Sequence, residues 1–199
     1  EPGSGKSTFV DHLTHALALQ RWECLLDWPE RERNALPILV ILRDFAHWLG
    51  EREKSVQAGA NLLWDYIRHD LGQWRLSSAA GVLEKALEDG RAVVLLDGLD
   101  EVPADDEARL TLVKDSVQRF VERYRHDRHL VTCRVLSYQE SHWRLPERTF
   151  PDVELARFTE EQIDRFITAW YREVGSKWRR LSPADIPVLA GKLRRAVRR

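Results

Sequence analysis

Glu1-Pro2-Gly3-Ser4-Gly5-Lys6-Ser7-Thr8 opens the chain with the residue order of a phosphate-binding loop, the tail of G-x-x-x-x-G-K-[ST] running into a helix. Gly3 and Gly5 let the backbone turn with its N–H groups pointing inward, so that the segment with Pro2 and Ser4 makes a concave nest for phosphate oxygens. Lys6 reaches over the β- and γ-phosphates as a point charge, and Ser7 offers a hydroxyl to Mg²⁺. The helix starting near Lys6 aims the positive end of its dipole at the anion. The first glycine of the pattern falls one residue before Glu1, so the chain is expected to begin inside the motif, without the strand that feeds the loop. The plainer reading is a Gly/Ser turn capping an ordinary helix, and elements further along decide between the two.

Outward from the loop, Phe9, Val10, Leu13, Ala16 and Leu17 recur at helical spacing and predict an amphipathic helix from Lys6 to about Arg21. His12 and His15 lie three apart on it; without an evident third ligand they read as solvent-facing rather than as a metal site. Leu36 to Leu42 is a continuous apolar run ending in Arg43-Asp44, the pattern of a strand buried on both faces of a parallel sheet. Helices are expected around Leu62–Leu71 and Val82–Leu87, the second closed by Asp89-Gly90 with glycine where a left-handed cap belongs. Ala92 to Leu96 is a second buried strand. Ala104 to Arg125 reads as a helix with Asp105, Asp106 and Glu107 at its positive end, and His129 to Val135 as a third strand. A short strand is expected near Val153-Glu154-Leu155. Thr159-Glu160-Glu161-Gln162 is a capping box that launches a helix through Val174. A last helix is placed within Ser182 to Arg199, where Pro187 kinks it or resets its start. Strands alternating with helices give an α/β domain with an open, mostly parallel sheet flanked by helices.

The second chemical element is the end of the Ala92 strand, Asp97-Gly98-Leu99-Asp100-Glu101. An aspartate at the carboxyl end of a buried strand is the companion that a phosphate-binding loop requires: Asp97 would hold Mg²⁺ through a water. Asp100 or Glu101, one turn later, would orient or polarise an attacking water. Alternatively Asp-Gly is a turn and the later acids cap a helix. The two elements support each other, because either alone would leave phosphate or metal half coordinated. Arg134, at a strand end among apolar residues, needs an anionic partner, which a phosphate or a nearby carboxylate would supply. Arg43 invites the same two readings, with the salt bridge ahead.

Composition narrows the class. The 199 residues carry 31 basic and 32 acidic side chains, a net charge of −1, so no global field points to nucleic acid or a membrane surface. Cys24 and Cys133 show no paired or metal-like spacing, which fits a reducing cytoplasm. No apolar run approaches the roughly 20 residues of a membrane helix. Arg194, Arg195, Arg198 and Arg199 read as a solvated helix face. Trp22, Trp48, Trp64 and Trp170 read as core and interface residues rather than a base-stacking platform.

Leu95-Leu96-Asp97-Gly98-Leu99-Asp100-Glu101 resembles the acidic strand motif of NACHT domains, in the STAND class of P-loop NTPases (signal transduction ATPases with numerous domains). Leu36 to Asp44 resembles the second strand of that family. Val131-Thr132-Cys133-Arg134 resembles its sensor strand, and Leu155-Ala156-Arg157-Phe158 with the helix from Gln162 resembles the segment closing the core. The resemblance implies a P-loop NTPase core over residues 1–157 whose first strand precedes the chain. A helical segment over 158–199 would close that core and begin the next region. It implies an extra strand between the loop strand and the Asp97 strand, Thr8 on the α-phosphate side, and Arg134 facing the γ-phosphate. Asp100, Glu101 and Arg134 would then be the catalytic set, with Mg²⁺ and ATP or ADP as cofactors. Function follows as an ATP/ADP-dependent switch that binds Mg-ATP or another NTP, hydrolyses it slowly, and self-associates in the full-length protein. Two rivals stand beside it: a P-loop ATPase or phosphotransferase with ordinary turnover, and a nucleotide-holding scaffold that never hydrolyses.

Overall fold

In chain order the helices and strands are α1 (Lys6–Ala18), α2 (Glu30–Arg33), β1 (Leu36–Ile41), α3 (Leu42–Gly50), α4 (Ala60–Gln73), α5 (Ala80–Glu88), β2 (Ala92–Asp97), α6 (Glu107–Arg123), β3 (Arg128–Val131), α7 (Val135–Gln139), α8 (Glu160–Lys177) and α9 (Asp185–Val197). The structure is a computed structural model that describes residues 5–26, 28–52, 58–103, 106–177, 182 and 185–197, with backbone alone at 22, 174–177 and 197. The chain divides into two compact units, Glu1–Val153 and Glu154–Arg199.

The first unit is mixed α/β, a small open sheet of three parallel strands in the order β1-β2-β3, flanked by helices. Leu36 pairs with Ala92 and Ile41 with Asp97; Val93 pairs with Arg128 and Leu96 with Val131. The central strand β2 is buried at all six positions, which is why its sequence runs apolar without alternation. Successive side chains point to opposite faces of the sheet. Val94 and Leu96 join Leu42, Phe45, Leu63, Val113, Val117 and Phe120 on the face covered by α3, α4 and α6. Val93 and Leu95 join Val10, Leu13, Ala16 and Leu17 of α1 on the other. The larger core holds an aromatic group, with Phe45 and Tyr66 ring centroids 5.3 Å apart and Trp48 and Tyr66 5.5 Å apart. Fully buried side chains such as Phe45, Leu42 and Leu63 each contribute about 1.5–3 kcal/mol of hydrophobic stabilisation. Trp48 and Trp64 are core residues, as expected.

Local signals account for several boundaries. Gly90 adopts φ +63° past the end of α5, and Arg91 N–H returns to Ala86 O at 2.8 Å, the left-handed helix stop expected there. Asp106 caps α6 by accepting from Arg109 N–H at 2.9 Å; Asp105, read with it, lies outside the described residues. Three expectations are corrected. The Leu36 strand ends at Ile41, and Leu42 already begins α3, a helix the continuous apolar run concealed. The third strand ends at Val131 rather than Val135, because Thr132 to Arg134 turn away to satisfy the end of β2 and Val135 starts α7. No strand forms at 153–155, where Val153 is 89% exposed and Leu155 47% exposed.

In the second unit the capping box is made as read. Thr159 N–H donates to Gln162 Oε1 at 2.8 Å, and Gln162 N–H donates to Thr159 Oγ1 at 3.2 Å. Pro187 sits in the first turn of α9, where its missing N–H would have no helical acceptor. Arg194 differs from the expected solvated face: half-buried, it donates to Thr168 Oγ1 at 2.6 Å and pairs with Asp164 at 3.1 Å, tying α9 to α8. Trp170 is half exposed and stacks on Phe166, with centroids 6.1 Å apart.

Candidate functional site at the carboxyl end of β2

Alternation along β2 fixes the direction of Asp97. Sharing parity with Val93 and Leu95, it falls on the face that α1 covers. Gly5, the residue before α1, is left-handed at φ +85°. Lys6 is half-buried on the first turn, followed by exposed Ser7 and Thr8. Pro2, Gly3 and Ser4 of the expected nest lie outside the described residues. α1 is packed on this face through Val10 and Leu13 against Val93, Leu95 and Leu130.

Asp97 is 8% exposed and held by a residue that the sequence reading gave no role, Thr132. The register of β2 and β3 ends with Leu96 opposite Val131, so the next positions bring Asp97 beside Thr132. The Thr132 hydroxyl donates to Asp97 Oδ1 and accepts from Gly98 N–H at 2.9 Å. Thr132 N–H donates to Leu96 O and Leu99 N–H donates to Thr132 O, both at 2.9 Å. The end of β2 and the start of the following turn are thus fastened to one buried threonine.

Gly98 has φ +82°, and a Cβ there would lie 3.3 Å from Glu101 Cδ. A side chain at this position meets both left-handed backbone strain and a crowded neighbour, which explains why glycine follows Asp97. The turn then carries Asp100 and Glu101 in opposite directions. The Asp100 side chain is only 5% exposed. It accepts from Arg134 N–H at 2.9 Å and pairs with Arg134 Nε at 3.1 Å. It also hydrogen-bonds the Cys133 thiol, which burial and then the adjacent Asp100 charge push up to about 12. Its acceptor sites are therefore engaged by the segment after β3. Glu101 is more open, at 38% exposed, and its carboxylate lies 3.3 Å from Arg43 Nη1 on the first turn of α3. That exposed pair is worth roughly 0.2–1 kcal/mol, weak enough to open when another partner competes.

Of the residues singled out by sequence, this end of the sheet gathers Asp97, Asp100, Glu101, Arg134 and Arg43. Arg134 takes the carboxylate partner of its two readings, and Arg43 does the same. Thr132 and Cys133 were missed as participants. The signal for Thr132 was a hydroxyl one register step beyond an apolar pair, directly beside a strand-end carboxylate. Ser7 and Asp97 supply hard oxygen donors of the kind Mg²⁺ takes. Among the described residues no hydrogen bond occupies the second Asp97 oxygen. Nor do three His, Cys, Asp or Glu residues converge there on a metal position. A sparse donor set fits an ion that keeps several waters and takes further ligands from phosphate.

The described residues include no helix long and apolar enough to cross a membrane. No protein-family model matches the chain, and neither does any curated protein or solved structure.

Proposed function

We propose that the chain is the nucleotide-binding core of an ATP/ADP-dependent signalling switch of NACHT type, with a P-loop NTPase fold. The observation that carries this reading is the direction of Asp97. A carboxylate at the carboxyl end of a fully buried parallel strand faces the side on which α1 packs, and α1 opens with Lys6-Ser7-Thr8 directly after Gly5. Ligands of open parallel sheets gather at this end of the strands. The sheet order adds support: β3 lies on the far side of β2 from β1, which leaves its outer edge for a strand feeding the loop.

On this reading the loop from Pro2 to Lys6 cradles the phosphates, with Lys6 over their distal charge and Thr8 toward the α-phosphate. Ser7 and Asp97 would hold Mg²⁺. When bound, the ion neutralises charge on the β- and γ-phosphate oxygens. Glu101 is the better candidate to orient water, since the Asp100 carboxylate is committed to Arg134 and Cys133. Arg134 would reach a γ-phosphate by leaving Asp100, a change of partner that couples nucleotide state to the turn after β2. Slow hydrolysis would reset the switch, and self-association of the full-length protein would be its output.

One observation favours a second reading, a module that holds nucleotide and does not hydrolyse it: Glu101 is paired with Arg43 and Asp100 with Arg134. The two readings part at Glu101→Gln. A switch predicts that this variant keeps ATP binding, loses turnover by about 10²-fold or more, and shifts to higher mass in ATP by light scattering. A holding module predicts no change in product formation or mass. Fast turnover with no mass change in ATP would instead mark an ordinary ATPase.

A further inference from the structure

We infer that Thr132 is a positioning residue for the metal-facing carboxylate: its hydroxyl orients Asp97, and through Asp97 it sets the affinity of the site for Mg²⁺. The inference rests on the nucleotide reading of this site and extends it to a residue with no assigned role. A threonine hydroxyl has one proton to give. Gly98 N–H donates into the Thr132 oxygen at 2.9 Å, so the hydroxyl proton is directed to Asp97 Oδ1. The backbone of Thr132 cannot drift, because its N–H is bound to Leu96 O and its carbonyl to Leu99 N–H. Its χ1 is restricted by β-branching, which fixes where the hydroxyl points. Asp97 and Thr132 are 8% and 7% exposed, so bulk water offers little alternative to this arrangement. One carboxylate oxygen is thereby pinned, and no described residue hydrogen-bonds the other. Groups that orient a metal ligand in this way change metal affinity without touching the metal.

A purely structural role would place the same hydroxyl there only to satisfy Gly98 N–H, and Mg²⁺ dependence separates the two. In the full-length protein, a fluorescent N-methylanthraniloyl-ADP at fixed concentration is titrated with Mg²⁺, and its affinity is also measured in EDTA. Thr132→Val is expected to raise the half-saturating Mg²⁺ concentration about tenfold while leaving the EDTA affinity within about twofold. Thr132→Ser, which keeps the hydroxyl, should return to the unaltered midpoint. In an Asp97→Ala background, which removes the acceptor, Thr132→Val should add no further shift, since its effect passes through that carboxylate. If circular dichroism shows Thr132→Val unfolded, Thr132→Ala carries the same comparison. An unchanged Mg²⁺ midpoint in the valine variant overturns the inference. So does a serine variant as impaired as valine, or a full additional shift in the Asp97→Ala background. Failure of the unaltered protein to bind the nucleotide at all overturns the nucleotide reading itself and this inference with it, a result distinct from normal binding with an indifferent Thr132.

Discussion

Gly98 and Asp100 define the site through what their surroundings forbid. Gly98 combines φ +82° with a Cβ position 3.3 Å from Glu101 Cδ, so Gly98→Ala should cost about 1–2 kcal/mol from the left-handed backbone alone. The thermal midpoint should fall, and an unchanged midpoint would mean the turn relaxes without loss. Sequence order named Asp100 and Glu101 as a pair and could not separate them. Their roles diverge because the turn after Gly98 buries one against Arg134 and Cys133 and leaves the other beside Arg43. Asp97, Lys6 and Ser7 were nameable as candidates from sequence alone because the motifs that single them out depend on short-range spacing. Thr132 was not, since its role exists only once β3 lies in register against β2.

At the scale of elements, β3 and the residue just before it carry two groups whose titration opposes. Burial lowers His129 to about 4 from 6.5, so the unfolded chain binds its proton more readily and stability rises with pH from about 4 to 6.5. Burial raises Asp127, which accepts from Ala92 N–H at 2.8 Å, to about 6 from 3.8. The folded chain therefore holds that proton longer, and stability falls as pH rises from about 4 to 6. Asp127→Asn should steepen the gain in thermal midpoint between pH 4 and 6 relative to the unaltered chain, and His129→Leu should reduce or reverse it. Parallel profiles for all three would contradict these burial effects. The central strand was readable because burial on both faces leaves a continuous apolar run. The α3 helix was not, although Leu42, Phe45, Ala46 and Leu49 stand at helical spacing and are buried. Leu42 ends one pattern and begins the next, so the change of period from 2 to 3.6 has no polar residue to mark it. Val153 and Leu155 misled for the opposite reason: they are apolar residues on exposed, unpaired backbone.

Across the whole first unit, the parallel sheet turns sequence-distant segments into one surface. The α1 helix, the end of β2 and the segment after β3 are separated by about ninety and thirty-five residues, yet α1 packs on Val93 and Leu95 of β2 and Asp100 binds Arg134. Alternation of the chain between strands and helices made this α/β arrangement legible. The nucleotide, its hydrolysis and the switch are proposals built on where Asp97 points and on what precedes α1. Binding of ATP and ADP to the full-length protein, compared with Lys6→Ala, tests that claim most directly. The account predicts Mg²⁺-dependent binding by the unaltered protein and a loss of about a hundredfold or more on removing the lysine charge that spans the phosphates. Equal binding by Lys6→Ala, or none by the unaltered protein, would contradict it.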